Sequence, residues 1–294
     1  MTKGIFVGLS TVDLVYGLDE FPSANSKVVA RSQDLFVGGP ATNASVTFAH
    51  LGGNATLVTV AGRHVLSSAI AKEIERYSIQ LIDLNPEMSE VPVISSISVN
   101  EAGERSVVSA NAARVIALPA KVDAALLEEA TIVLVDGHYM QACEAWAKAA
   151  CERKIHVVFD GGSWKNGTED LLRSIDIAIC SADFLPPGCS TKDEVFAYLK
   201  NCGISNIAIT NGAEPIHFVA GMASGTVVVP QVQALDTMGA GDILHGAFCY
   251  YSSLGQGFVE ALVEAARAAS DSCRFRGTRE WMSQATAPGV LAAT

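Results

Sequence analysis

The chain has 294 residues, 49% of them hydrophobic and 17% charged, with a formal net charge of −11. That apolar content supplies a sizeable buried core and excludes a disordered chain, while the acidic balance argues against nucleic acid, which needs a basic face. No apolar run approaches the roughly 18 residues of a membrane span, and the seven cysteines include no Cys-x-x-Cys pair, so they read as reduced thiols and not as a zinc site.

In chain order, apolar periodicity predicts a strand at 5–9 and a strand-like stretch at 14–36 with no helix inside it. A helix at 41–51, a strand at 56–60, a helix at 67–77 and a strand at 79–84 follow. Residues 91–110 again lack a helix: Ile94 to Val99 and Ser106 to Ser109 flank Asn100-Glu-Ala-Gly-Glu104, which reads as a hairpin. Beyond it come a helix at 120–128, a strand at 132–136, a helix at 141–153, strands at 156–160 and 175–180, a helix at 193–201, strands at 207–210 and 226–229, and helices at 241–254 and 257–274. Such alternation implies a doubly wound α/β domain over 1–294, its mostly parallel sheet covered by helices on both faces, with ligands at the carboxyl ends of the strands. The stretches 14–36 and 91–110 form an antiparallel patch, either a cover over that edge or an extension of the main sheet. The N-terminus enters a strand directly, so no leader is expected and the protein is expected in the cytoplasm.

The most informative stretch is Asp236-Thr-Met-Gly239-Ala240-Gly241-Asp242, with Ile243, Ala247 and Leu254 behind it at helical spacing. Gly239-Ala240-Gly241 therefore sits where a loop becomes a helix N-terminus, whose unpaired N–H groups suit a phosphate. Asp242 puts a carboxylate beside that anion site. As a mere cap it is unremarkable; as a general base in phosphoryl transfer its position makes sense. No Gly-x-x-x-x-Gly-Lys-Ser/Thr, no complete dinucleotide fingerprint and no Gly-x-Ser-x-Gly occurs.

The seven-residue string resembles the C-terminal signature Asp-Thr-x-Gly-Ala-Gly-Asp of the PfkB, ribokinase-like carbohydrate kinases. Upstream, Gly38-Gly39-Pro40-Ala41-Thr42-Asn43 resembles that family's glycine-pair motif. The resemblance implies ATP-dependent, Mg²⁺-requiring transfer to a sugar or other polyol, with Asp242 as base and Gly239 to Gly241 as anion hole. It makes 14–36 and 91–110 a small β lid, through which a homodimer is expected, and admits a monovalent cation such as K⁺. A nucleoside kinase of the same fold and a catalytically inactive scaffold are the alternatives.

On the acceptor side, Asp13 alone reads as a turn residue and Asn43 as an ordinary first-turn residue; the resemblance assigns both to sugar hydroxyls, with Gly38 and Gly39 giving access to the backbone and Asn111 near the same pocket. On the nucleotide side, Thr210 and Gly212 resemble the family's Thr-x-Gly, with Asp236 and Thr237 beside the anion hole. The family's Asn-x-x-Glu is replaced by Ser181-Ala-Asp183-Phe184, which puts metal geometry in doubt and leaves Asp183 to act on Mg²⁺ through water. Lys165 reads equally as a phosphate contact or a surface lysine. His138 faces the ligand edge and could meet the acceptor, and His245, one turn after Asp242, reads as packing or surface.

Overall fold

Strands that are apolar at nearly every position have no side to offer water, and here they form the middle of a sheet covered on both faces. The computed structural model describes residues 1–284 apart from 103, 111, 113, 114 and 120. Its first half comprises β1 (Lys3–Val7), β2 (Thr11–Gly17), β3 (Ser32–Gly38), α1 (Pro40–His50), β4 (Asn54–Thr59), α2 (Ser67–Arg76), β5 (Gln80–Asp83), β6 (Ile94–Val99) and β7 (Arg105–Ser109). The second half comprises α3 (Ala124–Glu129), β8 (Ile132–Val135), α4 (Met140–Cys151), β9 (His156–Gly161), α5 (Thr168–Leu171), β10 (Ile177–Ser181), α6 (Lys192–Asn201), β11 (Asn206–Asn211), β12 (Glu214–Ala220), β13 (Ala223–Val227), α7 (Ala240–Ser253), α8 (Phe258–Ser272) and α9 (Glu280–Gln284).

The main sheet runs β13-β12-β11-β10-β9-β8-β1-β4-β5, parallel from β11 to β5 and antiparallel at β11–β12 and β12–β13. Alternate residues feed two cores, as the period of two demands. Phe6, Leu134, Val158 and Ile179 face α1, α2, α7 and α8. Ile5, Val133, Val135 and Val157 face α3, α4 and α6. From β1 the chain first builds outward through β4 and β5, then returns to build the other way from β8. Strand order reverses between β1 and β8, which opens a crevice at their carboxyl ends.

A second sheet, β3-β2-β6-β7, stands over that edge. The predicted hairpin is present as the antiparallel pair β6–β7. The patch is not wholly antiparallel, however, because β2 and β6 pair in parallel. The reason is topological: β2 continues from β1 and β6 follows β5, parallel strands that both exit at the same edge. The pleat puts Asp13, Val15, Phe36, Ser95, Ile97 and Val107 on one face, and Leu14, Leu35 and Val108 on the other.

Three elements escaped the periodicity. Strand β12 carries Glu214, Pro215 and His217, which read as loop; Pro215 is tolerated next to the register shift between Ile209 and Asn211. The short α5 and α9 are below the length at which helical period shows. The helix expected at 120–128 occupies Ala124–Glu129, where the Asp123 carboxylate accepts from Ala125 N. Asn111 lies outside the described residues. Among the described residues no helix is long and apolar enough to cross a membrane.

Candidate active site

Two helix N-termini converge at the crevice. Helix α1 starts behind Gly39 (φ 97°) with Pro40 in its first turn, and α7 starts behind Gly239 (φ 67°). The helices touch closely because α7 has Gly246 where they cross: a Cβ there would lie 2.3 Å from Ala44 O. That contact brings the two motifs together, and Asn43 Nδ2 donates to Asp242 Oδ2 at 2.7 Å.

At the start of α7, Gly239 takes a left-handed conformation, and a Cβ on it would be 2.5 Å from Thr278 Cγ2. Gly241 has open space where its Cβ would be. Ala240 N makes a long 3.4 Å contact with Thr237 O, and the N–H groups of Gly241 and Asp242 have no acceptor among the described residues. These are the orphan donors of a helix start, free for an anion. Asp242 beside them has its pKa pushed up to about 7, first by burial and then by the charge of Asp160; the Asn43 hydrogen bond and His245 pull the other way.

Asp13 reaches the same crevice from β2. Its Oδ1 is buried with no partner, and burial raises its carboxyl above the ordinary range despite Thr11, Ser95 and Arg279 nearby. A Cβ on Gly38 would lie 2.0 Å from Asp13 Oδ2, and one on Gly39 would lie 2.2 Å from Leu9 O. The glycine pair therefore makes room for the protein's own carboxylate and carbonyl.

The remaining candidates divide. Asp236 ties its loop together: Oδ1 accepts from Met238 N and Oδ2 from Gly277 N. Thr237 is exposed beside it. Thr210 sits on β11 opposite Ser181 of β10, and Gly212 (φ 54°) turns the chain there with open space around it. Asp183 is exposed after β10. Among the described residues no group of three or more His, Cys, Asp or Glu side chains could hold a metal. Lys165 Nζ donates to the carbonyls of Asp136 and Ser163. Asp136 is itself absorbed by the fold, its carboxylate accepting from Leu9 N, Ala41 N and His138 N. His138 is half-buried, and burial lowers its pKa.

Sequence reasoning missed Arg279 and Glu73. Arg279 Nη1 donates to Asn43 Oδ1 (2.9 Å), Nη2 to Val37 O (3.2 Å) and Nε to Glu73 Oε1 (2.7 Å). Nothing near either residue in the sequence signals this. His245, read as packing or surface, is buried with both ring nitrogens engaged, and its position one turn past Asp242 was the available sign.

Known proteins are similar to this chain along nearly its whole length. The chain is 23% identical to the deoxyribokinase of Salmonella typhi, covering 93% of each. The ribokinase of Thermotoga maritima superposes with a TM-score of 0.82 at 22% identity, over 97% of this chain and 98% of that one. The ribokinase of Arabidopsis thaliana, solved with ribose and ATP, gives 0.77 at 20% identity over 94% and 93%. The family model for pfkB family carbohydrate kinases matches residues 1–285, and the chain belongs to that family.

Proposed function

We propose that this carbohydrate kinase transfers the γ-phosphoryl group of ATP to a hydroxyl of a sugar or related polyol, with Asp242 as general base. The observation that carries this reading is a single juxtaposition: a carboxylate with pKa near 7 beside two unpaired N–H groups at the start of α7. An acceptor hydroxyl gives its proton to Asp242 as its oxygen attacks phosphorus; the bond from phosphorus to the bridging oxygen breaks and ADP leaves. The N–H groups of Gly241 and Asp242 are fixed donors for the charge that spreads over the transferred group.

Asp13 is the acceptor anchor in this reading. Its buried, unpartnered Oδ1 represents about 1–3 kcal/mol of unmet desolvation, which a polyol hydroxyl removes by donating to it. Ribose and ATP in the Arabidopsis relative support a sugar acceptor and ATP as donor. Thr210 and Gly212 line the nucleotide side. Asp183 alone does not make a metal centre, so Mg²⁺ would arrive on the nucleotide's phosphates. The second sheet acts as a lid, and its outer face, with Leu35 and Val108 exposed, is the surface for a homodimer.

The test is ADP release across a panel of pentoses, hexoses, polyols and nucleosides. Release with one sugar or polyol and not with the others supports the reading. Preference for a nucleoside moves the acceptor class. Binding without release for every compound establishes the inactive scaffold instead.

A further inference from the structure

His245 lies on α7 with its side chain only 6% exposed. Its Nδ1 is 2.7 Å from Gly241 O and its Nε2 is 3.0 Å from Ile179 O on β10. Both partners are carbonyl oxygens, which only accept. A neutral imidazole has one N–H and one lone pair, so in that form one carbonyl oxygen faces a lone pair at hydrogen-bond distance. An imidazolium satisfies both.

A buried cation needs a counter-charge, and one is present. Asp160, at the end of β9 and 8% exposed, places Oδ2 3.5 Å from Nδ1. Burial holds the Asp160 carboxyl above the ordinary range, with His245 the largest influence pulling it back, so a proton has two seats to choose between. The carbonyls on either side of the ring decide where it sits, because only the ring can donate to both.

We propose that His245 is protonated on both ring nitrogens with Asp160 as its counter-ion, and that this pair is a positioning device clamping the first turn of α7 onto β10. The clamp holds Gly241, and with it the free N–H groups of the anion hole, against the sheet. Asp242 feels both ends of the pair: the Asp160 charge pushes its carboxyl up, and His245 pulls it down less strongly. The other groups facing the pair do not neutralise it. Burial pushes the thiols of Cys180 on β10 and Cys249 on α7 up, keeping them uncharged. Asp136 after β8 is occupied by three backbone N–H groups. His138 and Lys165 act on Asp160 more weakly than His245 does. The effect on catalysis rests on Asp242 being the base; the protonation state does not.

The experiment is ¹⁵N NMR of imidazole-labelled protein without substrates at pH 7–8, with the His245 signals assigned from His245→Gln. Two nitrogens with N–H-type shifts are expected, and Asp160→Asn should return one of them to the lone-pair range. One lone-pair nitrogen in the wild type overturns the ion pair. In kinetics, His245→Gln should lower kcat by up to about 100-fold, the scale of a roughly 1 Å misplacement. The acceptor KM should stay within several-fold, and the acid limb of kcat/KM should shift, because both charges of the pair act on Asp242. Unchanged kcat and an unmoved limb overturn the positioning role. Asp242→Asn separates the two readings: if it keeps full turnover, the assignment of the base fails while the NMR result stands.

Discussion

The side-chain amide of Asn43 donates to Asp242 Oδ2 at 2.7 Å, joining residues 199 positions apart. Its orientation is unambiguous, because Arg279 can only donate to the oxygen end and the carboxylate only accept from the nitrogen end. Asn43 thus couples the glycine-pair helix to the proposed base, and Glu73 holds Arg279 in place.

Removing that hydrogen bond should therefore be visible in the pH profile. A hydrogen bond to the ionised form favours it, and Asp242 ionises at about 7 with the bond in place. In Asn43→Ala the acid limb of kcat/KM should move to higher pH, so activity falls more at pH 6 than at pH 9. If only the acceptor KM rises while the limb stays put, Asn43 reads the acceptor and does not tune the base.

Asp242→Asn should lower kcat by about 10²–10⁴ with ATP and acceptor affinities within several-fold. It should also change stability in a pH-dependent way. Folding raises this carboxyl from 3.8 to about 7, so the wild type loses stability between those pH values and does not regain it above them. The variant lacks that loss. Its Tm advantage should grow from pH 5 to pH 8, and a constant difference over that range contradicts the shifted carboxyl.

The strands of the parallel core and both glycine motifs were legible in the sequence because their signals are local: continuous apolar runs, and glycine where backbone must turn or approach an anion. The position of Asp242 in the first turn of α7 was legible this way. The residues that hold Asn43 against Asp242 were not, because Arg279 reaches Asn43, and Glu73 reaches Arg279, only through the tertiary fold. The glycine pair shows the same limit: its position was evident, but only the structure shows that Asp13 and Leu9 fill the space. Strand β12 was hidden by its edge-like composition, and the parallel β2–β6 pair by the assumption that neighbouring insertions run antiparallel.

Gly38→Ala should act on the acceptor through Asp13. The new Cβ would lie 2.0 Å from Asp13 Oδ2, forcing the carboxylate aside. Asp13→Ala should weaken acceptor binding by about 1–3 kcal/mol and leave ATP binding intact, and Gly38→Ala should do the same. Because both act on one group, their effects in the double variant should fall short of the sum. Calorimetry showing full additivity, or loss of ATP binding with the acceptor unaffected, contradicts this.

The small sheet gives the last prediction. One face carries Asp13, Val15, Phe36, Ile97 and Val107, so the strands that hold the proposed acceptor anchor also carry apolar side chains beside it. Its outer face leaves Leu35 at 49% and Val108 at 72% exposure, apolar area that a second copy of the sheet would cover. Acceptor held between Asp13 and the start of α7 should draw the sheet down and exclude water, which otherwise competes with the sugar hydroxyl for the phosphoryl group. Amide exchange in 14–36 and 91–110 should therefore slow on adding the accepted sugar, and light scattering should give the mass of a dimer. Leu35→Lys with Val108→Lys should return the monomer while keeping substrate-dependent protection. Protection indifferent to every accepted sugar removes the lid, and a wild-type monomer mass removes the interface.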